Sequence, residues 1–169
     1  MNTFLNTFLI SDTHFGHGNM LNFKDKEGNP VRPFSSVEEM DETLIQNWNK
    51  VVKPTDKVYH LGDVAIARRG LDCLAKCNGD KILIRGNHDI FKLKDYTQYF
   101  RDVRGYNVID GFIFSHIPLH PESKGRFKAN IHGHLHSNKL DDKFYFNVSV
   151  EQINYTPINF EEIKIIIAI

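Results

Sequence analysis

The residues best suited to chemistry crowd into one stretch, Ile131-His132-Gly133-His134-Leu135-His136. In an extended chain alternate side chains share a face, so His132, His134 and His136 could all point the same way. Histidine is the commonest protein metal ligand, and Gly133 lets the backbone approach whatever the imidazoles hold. Read alone, the stretch fits either a metal claw or a polar strand end. A claw would still need carboxylates to balance its charge and a group to carry a proton.

The rest of the chain offers both. Asp12 and His14 follow the apolar run Phe4 to Ser11. Asp63 follows Lys57 to Leu61, and Asn87 and His88 follow Lys81 to Arg85. His116 follows Phe112 to Ser115. In α/β proteins ligands gather at the carboxyl ends of strands, so five segments present metal-capable or proton-carrying side chains at matching positions. Each has a modest explanation of its own: a turn cap at Asp12, a common turn dipeptide at Gly62-Asp63, loop hydrogen bonding at Asn87-His88-Asp89. Gly-Asn-His-Asp should arise by chance in such a chain less than about one time in a thousand. Its occurrence in order with Asp-x-His, Gly-Asp and Gly-His-x-His makes coincidence a poor explanation.

The elements that must position these residues can be read from pattern. Ser36-Val37-Glu38-Glu39 predicts a capping box, opening a helix whose stripe is Val37, Met40, Leu44, Ile45, Trp48, Val51 and Val52. Pro54 stops it. Arg68 to Asn78 predicts a short helix closed by Gly79, and Phe91 to Phe100 a further helical stretch. Val103 to Ile109 and Phe112 to Ser115 read as two strands of a hairpin turning at Asp110-Gly111. Phe144 to Val150 reads as another strand, and Ile163 to Ile169 as a closing one after a capped turn at Asn159. Phe15 to Phe34 and Pro118 to Lys128 read as loops. Strand–helix alternation in the first half argues for parallel βαβ units, and the strand-rich second half for a mixed sheet. His60, inside a strand, reads as structural, and Trp48 as core.

The totals suit one ordinary globular domain over residues 1–169, with no separate cap domain. Hydrophobic residues are 41% and charged residues 25%. Lys+Arg and Asp+Glu are both 21, so the basic excess of a strong nucleic-acid binder is missing. Cys73 and Cys77 read as two semi-buried neighbours on one helix face rather than a disulfide or thiolate site. No leader or spanning segment is visible, so the expected location is cytoplasmic, with no membrane partner.

Taken together, Asp12-x-His14, Gly62-Asp63, Gly86-Asn87-His88-Asp89, His116 and Gly133-His134-Leu135-His136 resemble the ordered motifs of the calcineurin-like metallophosphoesterases. Ser11 to His17 and Asn147 to Glu151 are similar to a compact bacterial and phage branch. The resemblance implies a four-layer α/β/β/α sandwich of two mixed sheets with a two-metal site at the strand ends. One metal would be held by Asp12, His14, Asp63 and His136. The other would be held by Asp63, Asn87, His116 and His134, with Asp63 bridging. His88 would lie just outside and protonate the leaving oxygen, and His132 has no role carried over. The implied reaction is attack of a metal-bridging hydroxide on a phosphate ester. Oxygen and imidazole ligands without thiolate suit Mn²⁺ first, with Fe or Zn²⁺ as alternatives.

The substrate expected is a phosphodiester, nucleotide or nucleic-acid derived, with a nuclease or a phosphomonoesterase of the same fold as alternatives. A non-catalytic scaffold is disfavoured because every expected position is filled. Candidate substrate contacts are His17, Arg68, Lys124 and Arg126. For each of these a solvated surface role is the competing reading, and for Asp89 either orientation of His88 or simple turn capping.

Overall fold

The computed structural model of the chain describes residues 5–168. Four parallel strands, β1 (Thr7–Ile10), β2 (Lys57–His60), β3 (Asp80–Ile84) and β4 (Asp102–Arg104), build most of the first sheet. A later strand, Ile158–Asn159, pairs antiparallel with β1 and completes the sheet. In the second sheet β5 (Asn107–Ile109) runs antiparallel to β6 (Phe112–Phe114). β7 (Ala129–His132) and β8 (Tyr145–Asn147) then continue parallel. Numbering Ile158–Asn159 as β9, the orders are β4-β3-β2-β1-β9 and β5-β6-β7-β8. Both sheets are therefore mixed, as expected.

Successive residues of the first sheet enter opposite cores. Phe8, Ile10, Val58 and Leu83 pack with Met40, Leu44 and Trp48 of helix α1 (Val37–Val51). Leu9, Tyr59, Leu61, Ile82 and Ile84 pack with Phe112, Phe114 and Ile131 of the second sheet. Burial on both faces is why these strands read as continuous apolar runs. On the far face of the second sheet, Asn130 accepts a hydrogen bond from Leu119 N (2.9 Å) and donates to Ser115 Oγ (2.9 Å). That pins the 117–128 segment there, with a 3₁₀ turn at Pro121–Ser123.

Helix α1 starts at Ser36, whose hydroxyl accepts from Glu39 N at 3.1 Å. The expected box is only half formed: the Glu39 carboxylate turns to the amide and hydroxyl of Ser35 instead. Trp48 is core, with its indole donating to Asn78 O at 2.9 Å. The predicted helix from Arg68 is one α turn, α2 (Arg68–Leu71), followed by a 3₁₀ turn, and that from Phe91 shrinks to α3 (Leu93–Tyr96). Both cysteines are free, and burial pushes the Cys73 and Cys77 thiols up to about 11 and about 12.

Two expectations are corrected. Val103 to Ile109 is not one strand. The chain leaves the first sheet after Arg104 and enters the second at Asn107, so this segment carries the crossover between sheets. The closing strand is instead helix α4 (Phe160–Ala168). Asn159 caps it by accepting from Glu161 N (2.9 Å), and Phe160, Ile163 and Ile167 share one helical face against the inter-sheet core. The β-branched run outweighed that 3.6-residue spacing in the sequence reading. Phe4 and Ile169, at the ends of two predicted strands, lie outside the described residues. Among the described residues no helix is long and apolar enough to cross a membrane.

The parallel arrangement brings the carboxyl ends of β1, β2 and β3 to one edge. The sheets meet there: Ser11 N donates to Val148 O (3.0 Å) and Val150 N to Ser11 O (3.1 Å). The ends of β6 and β7 thereby face the ends of β1 and β2.

Candidate metal centre

The backbone at this edge is unusually contorted. Asp12, His14, Asp63, His134 and His136 all have positive φ, between 48° and 70°. That region is costly for residues with a side chain, and such strain concentrates at functional sites. It also overturns the first geometric expectation. Only His132 of the three alternating histidines lies in β7, and His134 and His136 sit in the turn beyond it. They aim at the site because of left-handed turns, not because of strand alternation.

Close backbone approach sets the frame. Gly62 has φ +98°, and a Cβ there would meet Gly86 N at 2.6 Å and His116 Nδ1 at 2.7 Å. A Cβ on Gly133 would collide with the side chains of Ser11 and Asp12. These glycines are what let three strand ends close on one another.

Two clusters result, Asp12 with His14 and His136, and Asp63 with His116 and His134. Asp63 Oδ2 lies between them, 3.7 Å from His14 Nε2 and 3.4 Å from His116 Nε2. Asn87 joins the second cluster, with Oδ1 2.8 Å from His116 Nε2 and 3.0 Å from His134 Nδ1. The other predicted ligands are all here, so the structure brings together all seven.

Hydrogen bonding leaves ligand atoms bare. Asp12 Oδ2 accepts from Ser149 Oγ (2.9 Å) and His134 N (2.8 Å), yet Asp12 Oδ1 is buried with no partner, as is His14 Nε2. Buried polar atoms without partners are rare and costly, and a metal ion between them would remove the cost. His116 Nδ1 lies 2.7 Å from Leu61 O, which fixes the proton there and turns the Nε2 lone pair towards Asn87 Oδ1. Two acceptors at that separation repel unless a positive charge, a proton on Nε2 or a metal ion, lies between them. His136 Nδ1 is likewise 2.9 Å from Glu151 Oε1, leaving Nε2 towards Asp12 Oδ1 at 3.7 Å. The donor set of carboxylates, imidazoles and one amide, without thiolate, fits a divalent ion such as Mn²⁺, Fe²⁺ or Zn²⁺.

The electrostatics of the buried groups point to the same demand for positive charge. Burial pulls His116 and His136 down, but the carboxylates of Asp63 and Glu151 beside them hold both above the ordinary histidine value. Burial pushes the Asp12 carboxyl up. Burial pulls His14 down, so it stays neutral with a free lone pair.

Sequence reasoning missed the bracing beneath the first cluster. Arg32 is fully buried, gives Nε to Glu151 Oε1 (2.9 Å) and Nη1 to Thr13 O (2.7 Å), and also binds Asp12 O. Nothing local marks Arg32; its partner is 119 positions away. Asp89 is settled as a turn brace. Its buried carboxylate accepts from the amides of Asp63 (2.8 Å), Val64 (3.0 Å) and Gly86 (2.7 Å), so it locks two loops together and does not orient the His88 ring. His60 and His132 are buried and neutral, pulled down to about 3 and about 4 by burial. His60 bonds Thr13 Oγ1 and His132 bonds Gly133 O, as structural residues do.

A cleft of about 480 Å³ opens on the clusters, lined by His14, His17, His88, His134 and His136 and by residues of the 20–31 segment. His88 is exposed, its ring 5.7 Å from that of His14, and its amide donates to Asp63 Oδ1 at 2.9 Å. His17 stacks on His14 at 5.4 Å. The remaining candidate contacts do not line the cleft. Arg68 pairs with Asp95 (3.1 Å), and Lys124 pairs with Asp142 and lies over Phe144 (4.9 Å). Arg126 is exposed on the far loop.

Comparison with known proteins agrees with this geometry. Residues 5–165 match the model of the calcineurin-like phosphoesterases. The uncharacterized protein MJ1445 of Methanocaldococcus jannaschii is 41% identical over 167 residues, covering 91% of this chain and 86% of that protein. The gene 66 protein of Mycobacterium phage L5 is 34% identical over 89 residues, 50% of this chain and 40% of that protein. A crystal structure of the protein of unknown function AQ665 from Aquifex aeolicus superposes with a TM-score of 0.78 at 29% identity, over 96% of this chain and all of that one (100%). With two clusters of metal-capable side chains at its strand ends, the chain belongs to the calcineurin-like phosphoesterases, metal-dependent hydrolases of phosphate esters.

Proposed function

We propose that this protein is a binuclear phosphodiesterase. The observation that carries the reading is Asp63 Oδ2, one carboxylate oxygen facing both clusters, 3.7 Å from His14 and 3.4 Å from His116. On this reading Asp12, His14 and His136 hold one divalent ion, and Asn87, His116 and His134 hold the other. Asp63 is shared. Mn²⁺ is the first choice, with Fe or Zn²⁺ next. Bound there, two such ions neutralise a phosphoryl group and lower the pKa of a bound water.

The chain's own residues do the rest. Water gives a proton to solvent as its oxygen adds to phosphorus, the bond to the leaving oxygen breaks, and that oxygen needs a proton. His88 lines the cleft with its backbone tethered to Asp63, which places its imidazole to donate that proton. His17 stands beside His14 to contact a phosphoryl oxygen. Asn87 is neutral and leaves the site its positive charge.

Diesters are favoured over monoesters by what lines the cleft. Among the described residues no arginine lines it, and Arg68 is committed to Asp95. The cations lining it are the lysines Lys24 and Lys26, point charges that suit a diester monoanion, whereas a monoester dianion is best gripped by the two-pronged guanidinium absent here. The substrate class is a nucleotide or nucleic-acid phosphodiester. Hydrolysis of bis-p-nitrophenyl phosphate and p-nitrophenyl phosphate by Mn²⁺-loaded protein tests this. Faster turnover of the diester is expected; exclusive turnover of the monoester would refute the preference.

A further inference from the structure

We propose that Phe23 is a stacking platform for the base of a nucleoside phosphodiester held at the metal centre, which makes it a specificity-determining residue. The inference rests on the phosphodiesterase reading above. Among the described residues, Phe23 is the one exposed large apolar side chain that lines the cleft, at 51% exposure. Its ring stands half in solvent on the wall of a cleft that also carries five histidines, so packing explains it poorly. Exposed aromatic rings hold bases by stacking, tolerant of sequence, because every base has a π-face.

The segment that carries Phe23 is built and anchored. Val31 N donates to Phe23 O (2.9 Å), Lys24 bridges Pro30, and Asp25 N donates to Asn29 O (2.9 Å). The Asp25 carboxylate closes the turn on the amides of Glu27 (3.0 Å) and Asn29 (2.9 Å). This small hairpin is fastened at its base. Tyr155 donates its hydroxyl to Val31 O (3.2 Å), and the next residue, Arg32, is the buried side chain that grips Asp12 and Thr13. Phe23 is therefore held at a set distance from the first cluster, as a preorganised contact requires. Lys24 and Lys26 flank it, exposed and lining the same cleft, where they would meet anionic oxygens along the substrate. The cleft volume of about 480 Å³ suits a ligand of nucleotide size, since small-molecule sites span about 300–1,000 Å³.

The test compares two diesters with the same leaving group on Mn²⁺-loaded protein. One is thymidine 5′-(p-nitrophenyl phosphate) and the other methyl p-nitrophenyl phosphate. Wild type should favour the nucleoside diester in kcat/KM by about tenfold or more. Phe23→Ala should cut that ratio about tenfold, mainly through KM, and Phe23→Tyr should restore it. A ratio that Phe23→Ala leaves within twofold would overturn the platform. Calorimetry of thymidine 5′-monophosphate against inorganic phosphate decides the same point without turnover. The nucleotide should bind more tightly to wild type and lose that advantage in Phe23→Ala; equal binding of both ligands to wild type would refute the proposal. Inactivity towards both diesters would instead count against the phosphodiesterase reading, while the binding comparison still judges Phe23.

Discussion

In the first half-site the outer nitrogen of His136 is tied to a carboxylate, Glu151, which is itself gripped by buried Arg32. In the second, the outer nitrogen of His116 is tied to a peptide carbonyl, Leu61 O, and the amide of Asn87 replaces a carboxylate. The first is sunk beneath Ser149 and the Arg32 network. The second has exposed Asn87 and half-buried His134, while His14 and His136 of the first and His134 of the second all line the cleft. A carboxylate behind an imidazole raises its basicity more than a carbonyl does, so on the two-ion reading similar donors would hold their ions differently. On the two-ion reading, the first ion should be a resident one and the second the more exchangeable.

Breaking the bridge should have the largest effect. Asp63→Ala removes the oxygen shared by both halves, so both ions should be lost by elemental analysis and hydrolysis should fall by about 10⁴ or more. Retention of one ion at full strength would show that the halves are independent. His88→Ala touches neither half. It should keep both ions while turnover falls by about 10²–10⁴, the usual worth of a positioned acid. Full activity would remove His88 from the mechanism.

The asymmetry itself is sharpened by paired variants followed in a chelator titration. Glu151→Gln should weaken the first ion by about 10–100-fold and leave the second nearly unchanged. Asn87→Ala should do the reverse. In wild type one ion should leave well before the other, and simultaneous loss would contradict the tuning argument. The smallest effects belong outside both halves. Arg68→Ala and Lys124→Ala should keep kcat/KM within about twofold, because their charges are already paired with Asp95 and Asp142.

The sequence showed the side chains that cluster at the strand ends but not the means of holding them. Apolar runs ending in Asp, His or Asn disclosed the strand ends, because strands buried on both faces carry an unmistakable pattern. Local spacing could not reveal Arg32 or Glu151, since their contacts join distant segments and need the fold to exist first. His134 and His136 reach the two clusters through left-handed turns that their alternation in the sequence hid. Ile163 to Ala168 misled in the opposite way: β-branched residues suggested a strand, and only the docking of Phe160 and Ile163 between the sheets decides for helix. The crossover inside Val103 to Ile109 left no breaker beyond Gly105, so two short strands looked like one.

The most direct test of the central claim is anomalous scattering at the manganese edge from crystals grown with Mn²⁺. Two peaks are predicted, one against Asp12, His14 and His136 and the other against Asn87, His116 and His134, both touching Asp63. A single peak, or a peak ligated by His132, would contradict it.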